Sequence, residues 1–197
     1  MKASIRLALG LCLPALIACL PPTAAPKPVP FYPWHVMVED SQWEPHVNFQ
    51  GPGRHVGDPV RDYVLAEFMA RSWVDRDSLS AKHQIYVVLT YGNEWRYYEH
   101  ATNAQAERLS TTVIERQVVR CSAHYNSCTY EEVLGVNLSA DELDALIESG
   151  EPFRFALHSS RTASQRYIVE VPHEMMSIQA EVVKDWIERN RSRLTNR

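Results

Sequence analysis

Two cysteines and a histidine lie close together in the second half of the chain, and their spacing could support chemistry. Cys121, His124 and Cys128 follow the pattern C-x2-H-x3-C, and thiolate and imidazole groups are zinc ligands. No fourth ligand lies nearby in sequence, whereas structural zinc sites are four-coordinate. The gap between the cysteines is also longer than the C-x-x-C spacing of redox-active pairs. A structural disulfide is the third interpretation, and the compartment decides among the three.

Two adjacent carboxylates follow the second cysteine. Neighbouring residues of a strand point to opposite faces, so Glu131 and Glu132 cannot act as an acid and base pair on one substrate. We expect one of them to face inward and to pair with Arg116 or Arg120 on the facing strand. A structural ion pair is favoured over a binding site.

The usual catalytic motifs are missing from the sequence. There is no G-x-S-x-G elbow, phosphate-binding glycine loop, H-E-x-x-H pair or dinucleotide fingerprint. His35, His46 and His55 are too widely spaced for a compact metal motif, and we interpret them as surface or packing residues. No catalytic residue, cofactor or metal ligand is therefore assigned, although scattered Ser, His and Asp residues leave open a triad assembled by folding.

The N-terminal segment has the charged start and apolar run of a secretory signal. Lys2 and Arg6 precede the apolar residues 7–18, a run too short for a membrane span, which needs about 20 apolar residues. The end of the run resembles the lipobox of bacterial lipoprotein signal peptides: Leu16, Ile17, Ala18 and Cys19. This resemblance implies that residues 1–18 are removed and that Cys19 carries lipid.

A lipid anchor also indicates a compartment. Two or more acyl chains hold a protein stably in a membrane. Leu20 is not the aspartate typical of inner-membrane retention, so the resemblance implies the outer membrane, facing the periplasm. Because that compartment is oxidising, Cys121 and Cys128 most simply form a disulfide, with the redox and metal interpretations as alternatives. Ordinary cleavage near Ala25 is the alternative to lipidation, and Pro26 directly after the cut disfavours it.

Composition bounds the mature protein. Residues 19–33 are rich in proline, which predicts an extended tether. Residues 34–197 have the length of one domain. Removal of residues 1–18 takes away Lys2 and Arg6, so the formal net charge changes from -4 to -6. This acidic balance argues against nucleic-acid binding, which needs a basic surface.

Strands dominate the middle of the predicted domain. Residues 113–119 and 130–138 predict a hairpin with the two cysteines at its closed end. Residues 85–91 are β-branched and aromatic on both faces, which predicts a strand buried on both sides. Residues 60–74 fit either a helix or a strand, and we favour a strand. Residues 31–57 show no clear period, so we expect irregular chain there.

Two helices are predicted in the last third. Ser139 and Glu142 form a capping box and Gly150 follows, so residues 139–149 predict a short helix. Residues 173–190 predict a C-terminal helix that faces the core. Its expected apolar stripe comprises Met175, Met176, Ile178, Val182, Val183, Trp186 and Ile187.

Between the two helices, a second antiparallel hairpin is predicted. Apolar residues alternate with polar ones over residues 153–157 and again over residues 167–171, which is typical of strands with one wet face. The fold class predicted is α+β, an antiparallel sheet or sandwich covered by the two helices.

A further resemblance covers residues 60–180. The chain is similar to uncharacterised proteobacterial lipoproteins at Gln84, Ile85, Tyr86, Tyr91, Gly92, residues 95–98, Ala101, Cys121, residues 128–132, Val171 and Pro172. The resemblance implies no activity and no catalytic residue.

These observations favour a non-enzymatic envelope lipoprotein that binds or scaffolds another envelope component. Its expected partners are membrane lipid, through acylated Cys19, and an envelope protein. A periplasmic hydrolase with a site assembled from distant residues is the alternative. Binding would use an exposed aromatic patch, for which the candidates are Trp34, Trp43, Trp95 and Tyr97.

Overall fold

The computed structural model describes residues 35–56, 64–124, 126–162 and 165–194. Cys19, the tether and Trp34 lie outside these ranges. Within them the strands are β1 (Met37–Glu39), β2 (His46–Val56), β3 (Val64–Asp75), β4 (Ala81–Gly92), β5 (Tyr98–Asn103), β6 (Arg108–Leu109), β7 (Thr111–Ser122), β8 (Ser127–Leu138), β9 (Phe153–Ser159) and β10 (Arg166–Val171). The helices are α1 (Ala140–Ser149) and α2 (His173–Leu194).

The strands form two antiparallel sheets, which confirms the predicted α+β class. The large sheet has the order β1-β2-β3-β4-β8-β7 and the small sheet the order β10-β9-β5-β6. Helix α2 packs on β2 and β3, while β5 of the small sheet contacts β7 and β8. One face of the large sheet is therefore covered by the helix at one end and by the small sheet at the other.

Strand β4 shows how that covering works. Ile85, Val87 and Leu89 face the small sheet and the helices and are at most 2% exposed. Tyr86 and Val88, on the other face, are only half-buried. The prediction of burial on both faces was thus wrong at Tyr86 and Val88, although Gln84 on the same face is 5% exposed.

Strands occupy two segments that showed no clear pattern in the sequence. Residues 64–74 belong to β3, which confirms the favoured interpretation, while residues 57–63 lie outside the described ranges. Within residues 31–57 the irregular chain that we expected is wrong, because β1 and β2 occupy much of it. A register shift between Gln50 and Gly53 interrupts the pairing of β2 with β3. Gly51 has φ 104°, and a Cβ there would lie 2.3 Å from the carbonyl oxygen of His35.

Helix α1 has the predicted caps. The Ser139 hydroxyl accepts the Glu142 N–H at 3.2 Å, and the Glu142 carboxylate accepts the Ser139 N–H at 2.7 Å. Gly150 ends the helix in the left-handed conformation, with φ 69°. Leu143 is the residue of the helix that is buried in the core. The predicted span is confirmed to within one residue.

Helix α2 is longer than predicted and its buried stripe is shifted. Ile178, Val182 and Ile187 are only half-buried. Gln179, which the apolar pattern did not include, is 2% exposed and lies within the stripe. The buried members of the stripe are Met175, Met176, Gln179, Ala180, Val183 and Trp186.

The second predicted hairpin is confirmed. Phe153 pairs with Val171 and Phe155 with Val169 in β9 and β10. These side chains and Leu157 face the core, while Ile168 on the other face is 62% exposed. The small sheet therefore has the predicted wet face.

Candidate binding surface

Glu132 is a fully buried carboxylate in the middle of β8. Its side chain has 0% exposure, and its Oε2 accepts a hydrogen bond from Nε of Arg116 at 3.0 Å. The two residues are register partners in β8 and β7. The ion pair predicted from the adjacent carboxylates is confirmed, with Glu132 inward and Arg116 as its partner.

Glu131 lies on the opposite face of the sheet. Its carboxylate accepts a hydrogen bond from the Gln117 side chain at 2.7 Å and one from the Thr90 hydroxyl at 3.5 Å. The two carboxylates therefore cannot share a substrate, as the alternation of a strand requires.

Three further donors complete the surroundings of Glu132. The backbone N–H groups of Tyr97 and Tyr98 donate to Oε1 and Oε2, each at 2.9 Å. The Tyr91 hydroxyl also donates to Oε1. Arg116 in turn donates to the Tyr98 carbonyl at 2.9 Å. A buried charge is costly unless it is paired and hydrogen-bonded, and this one meets both conditions.

The carboxylate fixes an unusual loop. The connection between β4 and β5 contains Asn93 with φ 79° and Tyr97 with φ 53°. A bulky residue rarely adopts positive φ, which costs roughly 1–2 kcal/mol. The Glu132 hydrogen bond to the Tyr97 N–H offsets part of that cost. On the other side of the loop, the Ser160 N–H donates to the Tyr97 carbonyl at 2.9 Å.

This loop presents a group of aromatic rings. The rings of Trp95 and Tyr130 have centroids 4.6 Å apart, and those of Trp95 and Tyr97 are 5.8 Å apart. Tyr97 is 37% exposed, while Trp95 and Tyr130 are half-buried. Val118, which pairs with Tyr130 across β7 and β8, is 48% exposed. We call Trp95, Tyr97, Tyr130 and Val118 the aromatic surface.

Arginines border the aromatic surface. The Arg116 guanidinium lies 5.2 Å from the ring centroid of Tyr97. Arg161 pairs with Glu94 at 3.0 Å and donates to the Trp95 carbonyl at 3.4 Å. Cation–π contacts of this kind hold guanidinium groups against ring faces. The surface thus combines aromatic rings, an aliphatic side chain and two guanidinium groups, each of which is paired with a carboxylate.

The chemistry of the Glu132 cluster supports positioning, not proton transfer. Burial raises the pKa of Tyr91, and the hydrogen bond to Glu132 raises it further. The Tyr91 hydroxyl therefore keeps its proton, and its oxygen accepts the Arg96 N–H at 3.0 Å. Since the acceptor sites of Glu132 are also occupied, neither group is available to a substrate.

No protein-family model, no curated protein and no solved structure matches this chain. Among the described residues, no helix is both long enough and apolar enough to cross a membrane.

A serine and histidine pair lies in the core, away from the aromatic surface. The Ser72 hydroxyl and Nδ1 of His83 are 2.8 Å apart. Gln179 donates to the Ser72 hydroxyl at 3.0 Å and to the Phe49 carbonyl at 3.2 Å. Ser72 is 1% exposed, and the adjoining void of about 10 Å³ is large enough for a single water only. A substrate cannot reach this hydroxyl in the described structure.

A cleft of about 460 Å³ lies between α1 and the small sheet. Its floor includes Leu109, Leu146 and Phe153, and its rim includes Glu107 and Glu151. The lining contains no histidine or cysteine that could serve as a nucleophile's partner or as a metal ligand. The cleft offers a place for binding, and the ionisable side chains in its lining are Glu107, Glu142, Glu151 and Arg154.

The sequence-predicted cysteine site is a disulfide. Cys121 and Cys128 are bonded and are register partners where β7 meets β8, at the predicted closed end of the hairpin.

Two of the three widely spaced histidines lie near single carboxylates. His46 lies 3.7 Å from Asp75, whereas His55 lies 2.8 Å from Glu67. Within the described part of the chain, no three His, Cys, Asp or Glu side chains form a metal-binding group.

The aromatic candidates are separated by the fold. Trp95 and Tyr97 come together in the aromatic surface. Trp43 is 85% exposed in the β1–β2 connection, at the opposite end of the large sheet from β7 and β8. Tyr130 and Val118 were not among the candidates, and the hairpin register was the signal that could have added them.

Proposed function

We propose that this chain is a lipid-anchored envelope protein whose domain binds another envelope protein through the aromatic surface. The observation that carries the proposal is the Glu132 carboxylate, which holds the Tyr97 N–H at 2.9 Å and thereby fixes the loop in a strained conformation. Backbone strain is concentrated at functional sites, where it positions particular side chains. Here the side chains so positioned are Trp95 and Tyr97.

Composition supports a protein as the partner. Trp, Tyr and Arg are the residue types enriched at the energetic centres of protein interfaces. The aromatic surface has Trp95 and Tyr97, and Arg116 lies against Tyr97. A preformed surface loses little conformational entropy when it binds, which favours affinity.

The lipid anchor rests on the sequence. Leu16, Ile17, Ala18 and Cys19 resemble a lipobox, and residues 19–33 have the proline content of an extended spacer. A spacer of polyproline type would extend about 3.1 Å per residue and would hold the domain clear of the membrane surface. Leu20 supports the outer membrane, with the domain facing the periplasm.

Cell fractionation tests the anchor. Wild type should partition with outer membranes and incorporate a labelled fatty acid, whereas Cys19→Ala should lose the label and the membrane association. Equal labelling and equally firm membrane association of the variant would contradict lipidation at Cys19.

A pull-down from crosslinked native envelopes tests the binding role. Full-length tagged wild type should capture a defined envelope protein, and Trp95→Ala should capture about 30-fold less, the effect of losing an interface residue worth about 2 kcal/mol. Trp43→Ala is the matched control, because it removes an 85% exposed tryptophan at the other end of the sheet. Equal capture by all three proteins would contradict the proposal.

A further inference from the structure

Strand β7 is an edge strand of unusual length and composition. It has 12 residues and ends the order of the large sheet, so no described strand lies on its outer side. Four of its aliphatic residues are 38–52% exposed: Val113, Ile114, Val118 and Val119. Proteins usually keep edge strands short or charged, because an open edge invites pairing with another strand.

We propose that β7 pairs antiparallel with β7 of a second copy of this chain, about a two-fold axis that passes through Gln117. A two-fold axis joins identical surfaces, so each contact from residue i to residue j occurs twice. The sequence of β7 must then be complementary to itself in reverse.

The two faces of β7 are defined by its register with β8. Glu115, Gln117 and Arg120 pair with Val133, Glu131 and Thr129 respectively. These partners share the face of the large sheet opposite to the small sheet, so Glu115 and Arg120 also lie on that face. Arg116 and Val118 pair with Glu132 and Tyr130 and lie on the face that meets the small sheet.

Pairing about Gln117 brings unlike charges together. Next to the axis, Arg116 lies opposite the partner copy's Val118. If Val119 is an extra residue that has no partner, Glu115 then lies opposite the partner copy's Arg120. By symmetry the Glu115 and Arg120 contact forms twice, and both residues are exposed and on the same face. Opposite charges across strands are stabilising and like charges are destabilising.

This extra residue corresponds to an irregularity that β7 already has. The pairing of β7 with β8 shifts register between Val118 and Arg120, which leaves Val119 as an extra residue. Val119 also lies between Val118 and Arg120, the two residues that would pair with Arg116 and Glu115 of the second copy. The proposed register therefore uses an extra residue that β7 already carries, and a second extra residue, Ile114, lies beyond Glu115.

In the proposed β7–β7 interface, the interactions that give affinity differ from those that select the register. Exposed ion pairs contribute little to affinity, and their larger effect is on specificity. Backbone hydrogen bonds and burial of Val118 and Val119 would supply the attraction, while Glu115 and Arg120 select the register. The pairing depends on β7 and uses Val118 of the aromatic surface, whereas Trp95 and Tyr97 lie outside this strand.

Charge exchange between two differently tagged full-length copies tests the register. Two Glu115→Arg copies place arginine opposite arginine, and two Arg120→Glu copies place glutamate opposite glutamate, so co-purification of each should fall by about tenfold. A Glu115→Arg copy mixed with an Arg120→Glu copy restores both unlike pairs and should co-purify as wild type does. Unchanged melting temperatures establish that each variant is folded.

A cysteine at the axis gives a second test that needs no loss of binding. Gln117→Cys should form a disulfide-linked dimer under oxidation, because paired Cα atoms in antiparallel strands lie about 4.5–5.5 Å apart, within the range of a disulfide. Thr112→Cys lies far from the axis and should stay monomeric. Absence of the Gln117→Cys dimer, or failure of the mixed charge variants to co-purify, would overturn the proposal.

Discussion

The Glu132 carboxylate accepts the backbone N–H of Tyr97 at 2.9 Å, across 35 residues of sequence. It joins the centre of β8 to a loop that lies between the two sheets. Tyr97 has φ 53° at this point, and its exposed ring contacts Trp95. A buried side chain thus determines the shape of a surface feature.

Replacing Glu132 should therefore affect both stability and surface geometry. We expect Glu132→Gln to lower the free energy of unfolding by about 3 kcal/mol, because it removes the buried carboxylate charge that pairs with Arg116, whose side chain is 27% exposed. Urea denaturation measures the change. Glu131→Gln is the matched control on the opposite face and should change stability by less than about 0.5 kcal/mol. Equal effects of the two substitutions would contradict the role assigned to Glu132.

The buried His83 predicts a dependence of stability on pH. Gln179 donates to the Ser72 oxygen at 3.0 Å, and the Ser72 hydroxyl lies 2.8 Å from Nδ1 of His83. Burial lowers the pKa of His83, while Asp144 opposes and Lys184 adds to that shift. A lowered pKa means that the unfolded chain binds the proton first as pH falls.

The stability from neutral His83 should be complete above pH 6.5, the ordinary pKa of histidine, and should be lost as pH falls below it. Thermal unfolding at a series of pH values measures the loss. In His83→Gln, which keeps a polar group near Ser72, the curve should be flatter over this range. A wild-type curve as flat as that of the variant would contradict the prediction.

Gly135 should not tolerate a side chain. A Cβ at this position would lie 2.1 Å from the side-chain amide of Gln84, which is 5% exposed. Gln84 cannot easily move, because Arg71 donates to its oxygen and its own amide donates to Asn137.

We expect Gly135→Ala to destabilise the domain by about 1–3 kcal/mol, the usual effect of overpacking. The control is Gly92→Ala, since no atom lies within 4 Å of a Cβ there. Chemical denaturation should show little change for that control, and a similar loss in both variants would contradict the explanation.

The disulfide should make a measurable contribution. Cys121 and Cys128 close a short loop, with a separation of 7 in sequence. Constraint of the unfolded chain predicts a loss of about 2.5 kcal/mol when both are replaced by alanine. Calorimetry on the double variant measures the loss, and an unchanged melting temperature would show that the bond adds no stability.

The sequence predicted the elements that depend on local patterns. The capping box of Ser139 and Glu142 and the alternation of Phe153 and Phe155 depend on nearby residues, and both are confirmed. Strand β2 was missed because Gly51, Pro52 and Gly53 are typical of a turn, although here they form an irregularity within a strand.

The candidate surface was only partly predictable. The sequence indicated an ion pair between β7 and β8 but could not decide between Glu131 and Glu132, because the register depends on the irregularities of β7. The contact of Glu132 with Tyr97 depends on chain folding over 35 residues, and no local pattern indicates it. Gln179 was missed for the same reason, since its partner Ser72 lies 107 residues away.

A photocrosslinking amino acid at position 97 tests the central claim most directly. Placed there in the full-length chain in living cells, it should crosslink to one defined envelope protein, and the additional substitution Trp95→Ala should remove that product. The same amino acid in place of Trp43 should give no such product. If position 97 yields no crosslinked protein, or the same product as position 43, the aromatic surface is not the binding site.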